Sequence, residues 1–268
     1  AGGGMSRRVT LASGLTLNTA IDGDADKPWI ILSNSLGANL SMWDPQIDAL
    51  IGSYRVLRYD TRGHGGSDAP EGPYDFDGLV GDAIGLMDAH EIDKAAFMGL
   101  SMGGMTGLGL ALDHADRVSR VVCADGRADA PEPFRAMWDQ RMAAVSENGL
   151  AGIVEGTLAT WFTEEWRASN LDALSKVRNM VLGNDPKGYI ACCKALQKLD
   201  YLRRLGAVAI PVLYVGGSLD KGAAPEVMRA MAAATPGGAF HEVLDAAHVA
   251  NINQPDAFNR AIADFLEL

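Results

Sequence analysis

Cationic charge, cysteine and long hydrophobic runs are all scarce in this sequence of 268 residues. Its 23 Lys and Arg residues are outnumbered by 34 Asp and Glu residues, which gives a formal net charge of -11. Nucleic acids and anionic membrane surfaces need clustered cations, so we expect neither as a partner. No apolar run approaches the ~18 residues of a membrane span, and no signal-peptide pattern opens the chain. A small-molecule partner fits this composition better.

The cysteine content excludes a disulfide framework. Cys123, Cys192 and Cys193 cannot all pair, and two of them are adjacent. Their spacing does not match a metal site, so we expect core packing in a reduced, cytoplasmic protein.

What the sequence does contain is a regular alternation of short apolar segments and helical periodicity. Strands are predicted at two places within residues 9–22 and then at 29–32, 54–59, 95–100, 118–124, 210–215 and 240–244. Helices are predicted at about 76–90, 102–112, 225–234 and 255–266. This alternation predicts an α/β fold with a mostly parallel eight-stranded sheet and helices on both faces.

Residues 127–205 interrupt the alternation, because their pattern is helical throughout. We predict a core of residues 5–126 and 206–268, with 127–205 as a helical cap over the carboxyl edge of the sheet. Ligands of open α/β sheets bind at that edge. Arg127, Trp138 and Trp161 are therefore candidate substrate-binding residues.

The sequence Gly-Leu-Ser-Met-Gly at 99–103 matches the nucleophile-elbow pattern G-x-S-x-G. The pattern alone is a moderate signal, but here it joins a predicted strand to a predicted helix. That junction forces a serine into a tight turn with its hydroxyl exposed, so Ser101 is the predicted nucleophile.

A serine nucleophile needs a histidine base. His248 follows the last predicted strand and can reach the carboxyl edge of the sheet, whereas His64 lies in a turn after an earlier strand and is the alternative. For the acid that orients the base, Asp220 follows the strand at 210–215 and is preferred. Asp125, which follows the strand at 118–124, stays open as a second candidate.

Two backbone N–H groups are expected to stabilise the oxyanion of an acyl-transfer reaction. The N–H of Met102 lies at the start of the helix after Ser101, and the N–H of Leu36 lies in the loop after the strand at 29–32.

Together these residues resemble the α/β-hydrolase family, and within it the 3-oxoadipate enol-lactonases. The narrower resemblance rests on Leu-Ser-Asn-Ser-Leu-Gly at 32–37, Ser-Met-Trp-Asp-Pro-Gln at 41–46, Arg-Tyr-Asp-Thr-Arg-Gly-His-Gly at 58–65, Gly-Leu-Ser-Met-Gly-Gly at 99–104 and Trp-Phe-Thr at 161–163. It implies the triad Ser101, Asp220 and His248, with no metal or organic cofactor. The chain departs from the pattern at Asp125-Gly126-Arg127, where enol-lactonases have an Asn-Thr type sequence.

The sequence therefore predicts a serine hydrolase of a small lactone or carboxylic ester, with 3-oxoadipate enol-lactone as a candidate substrate. A general carboxylesterase and a carbon–carbon bond hydrolase of the same fold are the alternatives within enzymes. A ligand receptor built on this fold is the alternative outside them.

Overall fold

An eight-stranded sheet forms the centre of the computed structural model, which describes residues 6–268. The strands are β1 (Arg7–Thr10), β2 (Thr16–Asp22), β3 (Trp29–Ser33), β4 (Arg55–Tyr59), β5 (Ala95–Leu100), β6 (Val118–Ala124), β7 (Val212–Gly217) and β8 (Ala239–Val243). They lie in the order β1-β2-β4-β3-β5-β6-β7-β8. The β1–β2 and β2–β4 pairs are antiparallel and all other pairs are parallel. The predicted sheet is confirmed.

Helices cover both faces of this sheet. The α-helices are α1 (Asp44–Leu50), α2 (Phe76–Ala89), α3 (Met102–Asp113), α4 (Glu132–Asn148), α5 (Val154–Trp161), α6 (Glu164–Ser169), α7 (Leu171–Leu182), α8 (Pro186–Gln197), α9 (Pro225–Ala234), α10 (Ala250–Asn253) and α11 (Pro255–Leu266). The strand order reverses at β3, so right-handed crossovers put α1 on one face and α2, α3 and α9 on the other. The terminal helix α11 packs on β7 and β8 and also contacts α1.

The continuous apolar segments of the sequence form strands of the parallel sheet, because such strands are buried on both faces and need apolar side chains on each. Every residue of the central strand β5 is buried, whereas the edge strands β1 and β8 keep exposed residues. The start of β7 differs from the predicted one by two residues. Pro211 has no N–H to donate to a neighbouring strand, and the strand begins at Val212, directly after it.

Residues 127–205, which we call the cap, contain α4–α8 between β6 and β7. A single antiparallel bridge between Asp129 and Asp200 joins the two ends of this segment. The division into core and cap stays a prediction, and residue 5, its predicted first residue, lies outside the described part of the chain.

The three cysteines are unpaired and buried. Burial raises the pKa of the Cys193 thiol to about 12, as expected for a side chain that serves as packing. Within residues 6–268, none of the helices has the length and apolar character that a bilayer crossing requires.

Candidate active site

Ser101 occupies a strained turn between β5 and α3. Its backbone angles are φ 57° and ψ -117°, a conformation that non-glycine residues rarely adopt. The turn needs glycine on both sides, because a Cβ at Gly99 would overlap the backbone of Gly103, and a Cβ at Gly103 would overlap that of Ser33. The structure thus explains the two glycines of the sequence pattern and leaves the Ser101 hydroxyl at the wall of a cavity.

Three side chains from three separate loops form one hydrogen-bonded chain. The Ser101 Oγ lies 2.9 Å from His248 Nε2, and His248 Nδ1 lies 2.9 Å from Asp220 Oδ2. With the proton on Nδ1, the ring donates to Asp220 and accepts from the Ser101 hydroxyl. The arrangement allows His248 to remove the serine proton while Asp220 stabilises the imidazolium that forms.

Asp220 is held in its ionised form by several donors. Its other oxygen, Oδ1, accepts from the N–H groups of Gly222 at 2.9 Å and Ala223 at 3.2 Å. Burial opposes ionisation, but the charge and hydrogen bond of His248 and the Ala223 N–H outweigh it. The pKa of Asp220 therefore lies below its ordinary value.

Asp125, the second candidate acid, lies beside Asp220 and does not contact His248. Its Oδ1 accepts from Gly217 N–H at 2.9 Å, and its Oδ2 accepts weakly from Ala250 N–H at 3.4 Å. Complete burial and the negative charge of Asp220 raise the pKa of Asp125 well above its ordinary value. The pKa values of the two neighbouring carboxyl groups are thus moved in opposite directions, which favours the protonated form of Asp125 and the ionised form of Asp220.

His64, the alternative base, is buried away from the Ser101 hydroxyl. Its Nε2 accepts from the N–H of Gly37 at 2.9 Å, and its Nδ1 lies 3.2 Å from the carbonyl of Arg62. Burial lowers the pKa of His64, which favours the neutral ring that this pair of bonds requires.

The structure places the two predicted oxyanion donors in buried positions next to the serine. Met102 is the first residue of α3, and Leu36 lines the same cavity as Ser101. Within residues 6–268 neither N–H donates a hydrogen bond to the chain. Both are therefore available to a ligand.

The cavity above Ser101 has a volume of about 630 Å³ and is lined from both the core and the cap. Arg127, Trp138 and Trp161, the three predicted substrate-binding residues, all line it. Arg127 is already engaged, because its guanidinium lies 3.3 Å from Asp129 Oδ1 and 3.3 Å from the carbonyl of Gly222. Trp138 is buried, and its Nε1 has no hydrogen-bond partner.

Three further cations line the cavity. Arg141 stacks over the Trp138 ring at 5.3 Å and lies 3.4 Å from the Tyr189 hydroxyl, while Arg167 and Lys221 complete the set. Across the described residues, none of the three forms an ion pair with an acidic side chain. The sequence pattern does not distinguish Arg141 from the other cations of the cap. Lys221 could have been found from its place next to Asp220, but nothing in the sequence singles out Arg167.

A metal centre has no evident location in the part of the chain that the structure describes. No group of three or more His, Cys, Asp and Glu side chains is arranged there to hold an ion.

The chain is similar to known proteins over nearly the whole of its length and of theirs. A family model described as alpha/beta hydrolase fold matches residues 28–255. The chain is 39% identical to 3-oxoadipate enol-lactonase 2 of Acinetobacter baylyi, over 94% of this chain and 93% of that protein. Its structure is similar to that of the enol-lactonase from Burkholderia xenovorans LB400, with a TM-score of 0.94 and 40% identity, covering 98% of this chain and 100% of that one. A hydrolase from Pseudomonas aeruginosa PA01 is similar at a TM-score of 0.93 and 34% identity, covering 98% of both chains.

The protonation of Asp125 has a measurable consequence for stability. The folded protein keeps a proton on Asp125 that the unfolded chain releases at about pH 4, so this residue lowers the free energy of unfolding as the pH rises from there towards its folded pKa. An asparagine side chain in its place can accept from Gly217 and donate to Asp220 as the protonated acid does. Asparagine also tolerates the positive φ of 44° at this position.

Asp125→Asn should therefore gain in Tm relative to the unmodified protein as the pH rises above about 4. Thermal unfolding followed by circular dichroism at several pH values measures this difference. Asp26→Asn, at an exposed position, is the control. The difference in Tm between this variant and the unmodified protein should not change with pH. A flat difference for Asp125→Asn as well would mean that Asp125 is ionised in the fold.

Proposed function

The chain belongs to the α/β-hydrolase fold family, and we propose that it hydrolyses a small lactone or carboxylic ester through an acyl-serine intermediate on Ser101. The observation that supports this most directly is the hydrogen-bonded chain from Ser101 through His248 to Asp220, with both links at 2.9 Å and the serine at the wall of a cavity. The sequence-based predictions of this fold, this family and a hydrolase are confirmed.

In the proposed first half-reaction, the Ser101 oxygen attacks the substrate carbonyl carbon as His248 Nε2 takes the hydroxyl proton. The carbonyl oxygen becomes an oxyanion, which the N–H groups of Leu36 and Met102 stabilise. The oxyanion then collapses to a carbonyl group as the single bond between the acyl carbon and the leaving oxygen breaks, and His248 returns the proton to that leaving oxygen. In a lactone that oxygen stays attached to the acyl group, so one cavity must hold both parts.

The second half-reaction uses water in place of the serine. His248 takes a proton from the water, the hydroxide adds to the acyl carbon, and collapse of the intermediate returns the proton to Ser101. The product is the carboxylic acid of the opened lactone, and the enzyme is regenerated without any cofactor in the scheme.

For the substrate, we propose a lactone that carries a carboxylate, such as 3-oxoadipate enol-lactone. Arg141, Arg167 and Lys221 give the cavity unpaired positive charge in a protein that is otherwise strongly acidic. A buried carboxylate needs such a partner, because an unpaired buried charge is very costly. Arg141 with the free Nε1 of Trp138 is the best-placed pair for it. The printed names of two relatives, both enol-lactonases, agree with this class.

We also propose a reducing, cytoplasmic setting for this reaction. Its support is the absence of disulfides among the three cysteines, all of which lie in the described residues.

The role of Ser101 is tested by its removal. Ser101→Ala should lower kcat on a short p-nitrophenyl ester by about 10⁴-fold or more, while circular dichroism shows an intact fold. A fluorophosphonate probe should label the unmodified protein at Ser101, as mass spectrometry of its peptides would show. Retention of more than a few per cent of the activity would contradict the assignment. A single burst without turnover in the unmodified protein would favour a receptor.

The acid is tested by comparing two aspartates. Asp220→Asn should reduce kcat by orders of magnitude, because it removes the acceptor that fixes the His248 tautomer. Asp125→Asn should leave kcat within about tenfold, since the amide reproduces the protonated carboxyl. The reverse ranking would move the acid to the end of β6.

The substrate class is tested with a carboxylated lactone and its methyl ester, by following ring opening of each. The charged lactone should have the higher kcat/KM, and Arg141→Ala should reduce that preference by about 1.5–3 kcal/mol, the scale of a hydrogen bond to a charged group. Arg127→Ala should have a smaller effect, because Asp129 already neutralises that guanidinium.

Arg135→Ala is the matched control for this experiment. Arg135 lies on the same helix as Arg141 but is exposed and outside the cavity lining. Equal rates on both lactones, unaffected by Arg141→Ala, would leave a general esterase or a hydrolase of neutral lactones.

A further inference from the structure

The loop that carries the proposed oxyanion donor Leu36 is held through its neighbour Gly37. The N–H of Gly37 donates to His64 Nε2 at 2.9 Å, and its carbonyl accepts from Asn184 Nδ2 at 2.7 Å. The loop is a tight turn, closed by a 3.2 Å bond from Ala38 N–H to the Ser35 carbonyl. Asn184 thus holds the peptide that joins Gly37 to Ala38, and the N–H of this peptide donates to the Ser35 carbonyl. That carbonyl shares a peptide unit with the N–H of Leu36, so the bond sets the direction of the proposed donor.

Asn184 belongs to the cap, where it lies between α7 and α8 and is only 6% exposed. Its Oδ1 accepts from the N–H of Gly65 at 2.8 Å, next to His64 in the chain. One buried amide therefore bridges the oxyanion loop and the His64 turn, beside the hydrogen bond from Gly37 N–H to the His64 ring.

The amide of Asn184 has little freedom to move. Its Nδ2 also lies 3.2 Å from the carbonyls of Met180 and Val181 at the end of α7. Close by, the backbones of Gly63 and Gly188 approach so tightly that a Cβ on either would overlap the other. The cap is therefore docked on the His64 turn at the same place where Asn184 reaches the oxyanion loop.

The cap also contacts the histidine loop. The carbonyls of Thr160 and Trp161, at the end of α5, accept from the N–H groups of His248 at 3.4 Å and Val249 at 3.1 Å. The cap thus contributes hydrogen bonds to two of the loops that make up the site.

We propose that Asn184 is a positioning residue of the oxyanion hole, which acts through Gly37 to aim the N–H of Leu36. This inference rests on the proposed function, since it assigns a partner to the oxyanion donor. By this proposal the cap has two roles, because it lines the cavity and also positions an oxyanion donor. The predicted signature is a loss of transition-state stabilisation with little change in the binding of the ground state.

The test compares Asn184→Ala and Asn184→Asp with Asn170→Ala. The aspartate keeps the acceptor for Gly65 N–H but replaces Nδ2 with a carboxylate oxygen. It therefore removes the donor to Gly37 together with the donor contacts to the α7 carbonyls, and it keeps the size of the side chain. Asn170 is the matched control, because its Nδ2 caps a carbonyl within the cap, that of Trp166, at 2.9 Å and contacts no catalytic loop. The readouts are kcat and KM on p-nitrophenyl acetate and the Ki of phenylboronic acid, whose serine adduct is a tetrahedral anion.

Both Asn184 variants should lower kcat by about 10- to 100-fold, less than the 10²- to 10³-fold loss on removal of a whole oxyanion donor. KM should stay within about twofold, the Ki of the boronic acid should rise in parallel with the fall in kcat, and Asn170→Ala should match the unmodified protein. Circular dichroism and fluorophosphonate titration of Ser101 count the folded, reactive sites. Should Asn184→Ala fail to fold, Asn184→Asp gives the same comparison.

Two negative results can be told apart. If the unmodified protein turns over the ester and is labelled at Ser101, but folded Asn184 variants keep kcat and Ki, the positioning role is wrong and the proposed function stands. A change in KM alone would likewise reject the positioning role. If the unmodified protein neither turns over the ester nor reacts at Ser101, both proposals fall together.

Discussion

Between β5 and α3 the backbone passes through Ser101 at a φ of 57°, and the geometry of the site follows from that turn. The turn directs the hydroxyl out of the sheet and leaves the N–H of Met102 unpaired at the start of a helix. Because neighbouring strands are parallel, the loops after β3, β6 and β7 open at the same edge. His248, after β8, completes the set. A strained conformation of this kind persists only where the surroundings enforce it, and here Gly99 and Gly103 let the turn pack closely on itself and on the backbone of Ser33.

Buried negative charge is the second constraint. Asp125 and Asp220 lie side by side in the interior, where two adjacent carboxylates would repel each other strongly. The conflict is resolved by unequal environments. Asp220 has His248 and two backbone N–H groups around it and stays ionised, whereas Asp125 keeps its proton. The raised pKa of Asp125 leaves Asp220 as the carboxyl group favoured to carry the negative charge beside His248.

The sequence was sufficient for the parts of the site that depend on chain order. Ser101, Asp220 and His248 each follow a predicted strand, so a parallel sheet had to bring them to one edge, and the structure does so. Strand ends were less predictable, as at Pro211, where the proline removes a ladder hydrogen bond. Contacts between distant loops were not predictable at all. Asn184 lies 147 positions from Gly37, and no periodicity or motif connects them. Sequence position favours Arg127, directly after β6, as the substrate-binding cation, and only the fold shows that Asp129 pairs with it while Arg141 lines the cavity.

The protein as a whole is acidic, but several of the side chains that line its cavity are cations. A net charge of -11 opposes the approach of an anion, but at physiological ionic strength charges more than about 8 Å apart are largely screened. The surface charge is therefore weak at the distance of the cavity interior, while Arg141, Arg167 and Lys221 act at contact distance on any ligand there. In the proposed function, selection of a carboxylated lactone is thus a property of the cavity, and the cap that lines this cavity also contacts the loops of Gly37 and His248.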